Sequence, residues 1–398
     1  MKNIYFLLFF VTSFGYSQSI QLSPSAELSV ITCGPSDVDL YATFGHSAFR
    51  ILDIPNNIDR VYNYGTFNFN TPNFYTKFVR GQLLYQLSAY DFASFLYSYH
   101  QEKRWVKGQV LDLTSEDVQK VYDFLENNAK PENRLYKYEF FYDNCSTRLY
   151  DVMEKVLGDK LVFNPLYAKE ENLSHRDLIQ MYLANHPWGD FGIDYALGSD
   201  IDRKATSRDY LFLPDYVYDA FMKVKIIENG EEKPIVKRTE DILLEFDDIP
   251  YKNSFFSPLV VFIILASIVL FFTYLDFKRR SRNRLLDIIL FSTTGLLGIV
   301  LLLLWFATDQ TLTVNNFNIL WAFAPNIIFV FVLSKAKNSS IIKYYMLSLL
   351  LLLDLLVLLW IFKIQIFSIA LVPILIALYT RYIYLWVYFR KYQIKIKD

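Results

Sequence analysis

From about Phe256 onward the chain carries one apolar stretch after another, at about 257–275, 285–307, 317–334, 341–361 and 365–388. Each approaches the roughly 20 residues a helix needs to cross a hydrocarbon layer of about 30 Å. A chain built this way cannot fold as a single water-soluble globule. In lipid, backbone polar groups must be bonded within their own segment, so helices are expected here. The reading is an all-α transmembrane domain over 256–398 with five helices.

The charges between the stretches orient it. Lys278, Arg279, Arg280, Arg282 and Arg284 follow the first stretch, whereas Thr308–Asn316 has no Lys or Arg. Lys335, Lys337 and Lys343 follow the third, and Arg390, Lys391, Lys395 and Lys397 end the chain. Cytoplasmic loops collect Lys and Arg, so the first and third loops and the C-terminus are expected in the cytoplasm. An odd number of crossings then puts residues 18–255 on the opposite side. The N-terminus agrees: Lys2, an apolar run from Ile4 to Phe14, then Gly15 and Ser17 read as a signal peptide over 1–17. The alternative is an uncleaved anchor, for which the run is short.

Residues 256–398 hold 14 Lys and Arg against 5 Asp and Glu, yet the whole chain nets −1, so residues 18–255 are strongly acidic. That excludes a nucleic-acid binder, which needs a basic surface for phosphates. The segment is long enough for a real core without disulfides. Strand-like runs fall at Ala26–Cys33, Gly45–Leu52, Arg60–Phe69, Leu83–Ala89, Trp105–Leu113 and Tyr136–Tyr142. Helical patterns fall at Asp91–Gln101, from a Thr114/Asp117 capping box to Asn128, behind Cys145, and at Asp177–Leu183. The rest of 160–250 has no clear period. The fold class is α+β, in a domain spanning 18–255.

Chemistry points to Cys145. It lies in Phe141-Tyr142-Asp143-Asn144-Cys145-Ser146, where an aromatic run passes into a helical pattern (Leu149, Val152, Met153, Val156, Leu157) that Gly158 can end. Asp143 or Asn144 can cap that helix. A thiol at a helix start feels the positive end of the dipole, which favours thiolate. A thiolate nucleophile needs a base. Of four histidines (His46, His100, His175, His186), His46 follows Gly45 at a strand start, where the backbone leaves room for a ligand. His100 falls late in an amphipathic helix, and His175 and His186 sit in polar loops. The next strand offers Asn63 and Tyr64 to orient the imidazole, and Asn63 is preferred because an amide oxygen accepts an imidazole N–H. On the loop between the second and third stretches, Asp309, Asn315, Asn316, Asn318 and Trp321 cluster, either as a solvated turn or as a polar floor under the soluble domain. Tyr64, Asn144, Asp309 and Trp321 are the expected substrate contacts. Zinc is disfavoured because the Cys and His residues show no ligand spacing. No phosphate loop or nucleophile elbow is present, and no cofactor is expected. One rival stands: in an oxidising compartment Cys33 and Cys145 could bridge, making both structural.

The order Gly45-His46-Ser47-Ala48, then Asp143-Asn144-Cys145, resembles a circularly permuted papain-like (NlpC-type) fold, in which the histidine strand precedes the cysteine helix. More closely, the chain resembles the Lnb family of bacterial lipoprotein N-acyltransferases. The motifs are Thr32-Cys33-Gly34-Pro35, Phe44-Gly45-His46-Ser47-Ala48, Tyr62-Asn63-Tyr64-Gly65-Thr66-Phe67, Phe141-Tyr142-Asp143-Asn144-Cys145 and Phe212-Leu213-Pro214-Asp215, with Thr308-Asp309-Gln310 and Asn318-Ile319-Leu320-Trp321 in the outer loop. The resemblance implies an inner-membrane enzyme with residues 18–255 in the periplasm. It also implies a Cys145 thioester, His46 as base, a phospholipid acyl donor and a diacylglyceryl-cysteine lipoprotein acceptor. Related enzymes often place a histidine where Asn63 stands. Two rival functions remain at this point, a peptidoglycan endopeptidase using the same pair and a non-catalytic membrane assembly factor.

Overall fold

The computed structural model describes residues 20–36, 40–163, 172–244, 246, 256–335 and 339–391. The expected signal peptide lies outside the described residues. The chain lays down β1 (Glu27–Cys33), β2 (His46–Asp53), β3 (Ile58–Thr66), α1 (Phe74–Val79), β4 (Leu84–Asp91) and α2 (Phe92–Gln101). Next come β5 (Val106–Leu111), α3 (Ser115–Asn128), β6 (Leu135–Lys137), α4 (Thr147–Leu157) and β7 (Leu161–Val162). They are followed by α5 (His175–Gln180), α6 (Pro187–Ala196), α7 (Pro214–Phe221), β8 (Lys225–Glu228), β9 (Glu231–Pro234) and β10 (Val236–Leu243).

The main sheet has seven strands in the order β10-β5-β1-β2-β3-β4-β6, and a smaller one has the order β7-β8-β9. Every pairing is antiparallel, which makes the domain α+β. Strand alternation sorts the apolar residues between two layers. Leu28, Val30, Phe49, Ile51, Tyr62 and Tyr64 face one core with Val118, Val121 and Leu125 of α3 and Leu149 and Met153 of α4. Ile31, Cys33, Ala48 and Val61 face another with Phe92, Phe95 and Tyr99 of α2. Each fully buried Val, Leu, Ile, Phe or Met among them contributes about 1.5–3 kcal/mol. Covered on both faces, β1 is buried along nearly its whole length, Ser29 and Thr32 included.

Thr114 caps α3, accepting the Asp117 N–H at 3.2 Å and donating its hydroxyl to Asp117 Oδ2 at 2.9 Å; the full reciprocal box stands instead at α5, between Ser174 and Asp177. The run Tyr136–Tyr142 departs from expectation. Only Leu135–Lys137 pairs with β4, and the chain then turns back on itself, with Glu139 bridged to Asp143. The Phe140 and Phe141 rings fill the core against Phe212, at 5.6 and 4.8 Å. Their alternation reflects packing of a turn, not a ladder. The edge strand β10 was not foreseen, because its polar sequence pairs with β5 across more than a hundred residues.

The membrane part contains α8 (Pro258–Arg279), α9 (Arg284–Phe306), α10 (Asn326–Lys335), α11 (Ser339–Ile361) and α12 (Val372–Lys391). Among the described residues, four helices are long and apolar enough to span a bilayer; α10, at 10 residues, is not. The third stretch is therefore not one spanning helix, as expected from its composition. It is a short 3-10 turn at Phe317–Leu320, a non-helical passage, and then α10. Pro325 opens α10 and cannot donate the bond that would extend it upstream. Asn326 donates to Thr294 Oγ1 near the middle of α9, at 2.8 Å. At the other end of α10, Leu333 O accepts from Arg282, just before the start of α9, at 2.9 Å. The non-helical passage lies against α9, where a Cβ on Gly298 would stand 2.1 Å from Ala322 O.

The two parts are joined by hydrogen bonds at the loop between α9 and α10. Asn316 and Asn318, both buried, donate to Tyr195 O and Asp194 O at 2.8 and 3.0 Å. Tyr195 Oη donates to Leu297 O at 2.7 Å, and Asp309 N to Arg80 O at 2.8 Å. The polar cluster of this loop is thus a floor on which the soluble domain sits.

Candidate active site

β2 and β3 run antiparallel, so His46 at the start of β2 and Asn63 near the end of β3 fall at the same end of the sheet. Gly45 precedes His46 with φ of +79°, and a Cβ there would lie 2.8 Å from Cys33 O and 3.3 Å from the Pro214 ring. Glycine is needed for this backbone turn and close approach, and the space expected for a ligand is filled by protein.

His46 Nε2 lies 2.6 Å from Asn63 Oδ1. Asn63 in turn donates through Nδ2 to Tyr90 Oη at 3.0 Å, which fixes the amide orientation. The His46 Nε2–H therefore donates to Asn63, leaving Nδ1 for a second partner. Cys145 lies beside the ring, close enough that each group shifts the other's protonation. Cys145 stands just ahead of α4. Asn144 Oδ1 accepts the Ser146 and Thr147 N–H groups at 2.8 and 2.9 Å, capping the helix. The Ser146 hydroxyl is 3.8 Å from Cys145 Sγ and 3.1 Å from the Ser47 hydroxyl. Gly65, at φ +86°, sits in a register shift of β3 against β4. A Cβ there would touch Cys145 Cβ and the Tyr138 ring, each at 3.4 Å. Tyr138 stacks on Tyr85 at 4.3 Å.

The electrostatics follow from these contacts. Burial pushes the Cys145 thiol up. The positive charge and hydrogen bond of His46, the Ser47 N–H and the Ser146 hydroxyl outweigh it and bring the thiol down to about 7. Burial pushes His46 down, but the Cys145 thiolate and the Cys145 and Asn63 hydrogen bonds raise it above the usual imidazole range. Opposite shifts on touching partners favour a thiolate–imidazolium pair. Such a pair can attack a carbonyl carbon and return a proton to a leaving group. Among the described residues, no acceptor is bound to the Cys145 backbone N–H. It is free to donate to an oxyanion formed at the sulfur.

Cys33 is not bridged to Cys145; both thiols are free. Cys33 pairs with His46 in the β1–β2 register, and burial pushes its thiol up to about 12. The structure brings Cys145, His46 and Asn63 together, but not the expected substrate contacts. Tyr64 points to the opposite face from Asn63, is buried, and donates to Asn128 Oδ1 at 3.0 Å. Asn144 has no hydrogen-bonding capacity left over. Besides the cap it donates to Phe140 O and Phe212 O at 2.9 and 2.7 Å. Asp309 ties the outer loop to Lys137 at 3.5 Å and Gln82 at 3.4 Å. Trp321 is buried at the junction, its Nε1 donating to Asn318 Oδ1 at 2.8 Å. All four side chains are thus engaged by other parts of the protein. His175 is not in a polar loop but buried at the start of α5, 3.9 Å from Asp209 and against Phe141 at 4.7 Å. Sequence reading missed Tyr90, Ser47, Ser146 and Tyr138. The two serines had a signal, each following one of the reacting residues directly. Tyr90 had none, since it arrives through the β3–β4 register.

Comparison with known protein families matches residues 21–178 to the Lnb N-terminal periplasmic domain and residues 250–393 to the Lnb transmembrane domain. No curated protein and no solved structure matches the chain.

Proposed function

The chain belongs to the Lnb family, carrying its periplasmic and its transmembrane domain, and we propose that it is a lipoprotein N-acyltransferase working through a thioester on Cys145. The observation that carries this reading is the contact of Cys145 with His46, itself held by Asn63, at the end of the sheet facing the membrane-anchored loop.

The Cys145 thiolate attacks the ester carbonyl of a membrane phospholipid. A C–S bond forms, and the oxyanion is met by the Cys145 N–H. The ester C–O bond then breaks, and the leaving alkoxide takes the proton of the His46 imidazolium, departing as lysophospholipid. The free α-amine of a diacylglyceryl-cysteine lipoprotein next attacks the thioester, with His46 accepting its proton. An amide forms, the C–S bond breaks, and the thiolate returns. Asn63 keeps the ring facing the sulfur through both halves. No cofactor enters either step.

The histidine strand precedes the cysteine helix on one antiparallel sheet, which supports a permuted papain-like reading of the domain. The third apolar stretch completes a fifth crossing as a broken element, part non-helical and part α10. Non-helical backbone is tolerated at membrane depth when protein covers it, and α10 continues from it, anchored at Thr294 in the middle of α9 and at Arg282 just before the start of α9. Five crossings leave the C-terminus in the cytoplasm and the active site at the outer face of the inner membrane. Both substrates are lipids of that leaflet, which gives a reason to tether a thiol enzyme with a whole bundle.

The test is mass spectrometry of lipoprotein N-termini from cells carrying Cys145→Ala in place of the wild-type protein. Loss of the N-acyl chain is expected, together with a hydroxylamine-labile acyl adduct on wild-type Cys145. Fully N-acylated lipoproteins in the variant would overturn the reading. So would altered muropeptides with unchanged lipoproteins, which would point to peptidoglycan.

A further inference from the structure

The connection between β3 and β4 is an unusual surface for a soluble domain. Phe69, Tyr75 and Phe78 on it are 66%, 78% and 51% exposed. Water-facing aromatic clusters are costly and mark an interaction site. Its place says which one. Gln310 Nε2 donates to Phe78 O at 3.1 Å, Asp309 N donates to Arg80 O, and Gly81 packs on the Asp309 backbone. These residues follow directly on the end of α9, an apolar helix long enough to span a bilayer, whose last residue Phe306 is 74% exposed. The aromatic face of α1 therefore lies level with the outer membrane interface, where Phe and Tyr rings are favoured.

From that face a row of rings leads inward. Phe69 and Phe74 meet Phe67 at 5.0 and 5.7 Å. Phe67 meets Tyr85 at 5.2 Å, Tyr85 stacks on Tyr138 at 4.3 Å, and Tyr138 borders the Gly65 backbone beside Cys145. Cys145 is itself only 8% exposed, so a chain must be guided to it.

We propose that residues 67–85 are the acyl-chain path of this protein. Phe69, Tyr75 and Phe78 sit in the outer leaflet, and one fatty acyl chain of a bilayer phospholipid runs along Phe67, Tyr85 and Tyr138 to the Cys145 sulfur. The occupant is the donor lipid, since these rings offer an apolar surface and no group that recognises a peptide. This rests on the acyltransferase reading for its purpose, but not for its placement.

The experiment uses the full chain in vesicles of phosphatidylethanolamine and phosphatidylglycerol. Acylation of Cys145 is followed by intact mass in the wild type, in the triple variant Phe69→Ser, Tyr75→Ser, Phe78→Ser, and in Tyr97→Ser, an equally exposed ring on α2 as a control. The triple variant is expected to acylate at least about tenfold more slowly, while alkylation of its Cys145 by iodoacetamide stays at the wild-type rate. Tyr97→Ser is expected to match wild type. In parallel, benzoylphenylalanine at position 78 is expected to photocrosslink radiolabelled phospholipid. A triple variant acylating as fast as wild type, or a position-78 probe that captures no lipid, overturns the proposal. If wild-type Cys145 never acylates, the acyltransferase reading falls, and the crosslink alone still decides whether α1 meets lipid.

Discussion

Two buried polar clusters sit at opposite ends of this molecule, and they behave differently. In the soluble domain Cys145, His46 and Asn63 form a short chain in which one proton can move between sulfur and imidazole. In the bundle Arg381 bonds Asp287 and Asp276, each at 2.8 Å, and Arg282 pairs with Asp287 at 3.0 Å. There Asn283 N also caps Asp276 at 2.7 Å. These groups neutralise one another and tie α8, α9 and α12 together. Burial of charge is tolerated in both places because each charge has a partner. Chemistry is possible only where the partner can give up its proton to a third molecule.

The contrast is testable. In the soluble cluster, His46→Ala removes the base and is expected to lower Cys145 acylation by about 10²–10⁴-fold, with thermal stability in detergent nearly unchanged. In the bundle, Asp287→Ala leaves Arg282 without its carboxylate and Arg381 with Asp276 alone, and is expected to destabilise by about 3–5 kcal/mol, read as a lower melting temperature. The joint replacement of Arg381, Asp276 and Asp287 by apolar residues is expected to recover much of that loss. If His46→Ala unfolds the protein, or Asp287→Ala leaves its melting temperature untouched, the distinction between the clusters fails.

Smaller effects sharpen it. Asn63→Ala frees the ring and is expected to slow acylation by up to about 100-fold. The pH profile of iodoacetamide alkylation gives the sign of the coupling. Because His46 lowers the Cys145 thiol to about 7, the rate is expected to rise through that pH and level off above it. In His46→Ala the inflection moves up, and a profile unmoved by that substitution would break the pairing. Cys33→Ala comes last. Its thiol is pushed up by burial and so stays protonated, and the expected cost is about 1 kcal/mol of packing with acylation within about twofold of wild type.

Much of this is legible in the amino-acid sequence itself. The apolar runs and the asymmetry of Lys and Arg mark out the membrane domain, because hydrocarbon leaves the backbone few options. The strands up to Trp105–Leu113 and the capped helix α3 follow from periodicity and capping, which are local. Cys145 and His46 stood out because a helix start and a glycine-led strand start are local signals too.

The remainder depended on neighbours far away in the chain. Asn63 and Tyr64 are adjacent in sequence, yet pleating sends one to the imidazole and the other into the core. Asn144 gives its amide hydrogens to the carbonyls of Phe140 and Phe212, the latter 68 residues away. The third apolar stretch has the composition of a spanning helix, but contacts with α9 and the soluble domain hold half of it unwound. Composition and periodicity act within a few residues and so mark elements and solvents. Which side chains meet is settled by strand register and by packing between distant segments, where neighbouring residues carry no information about the partner.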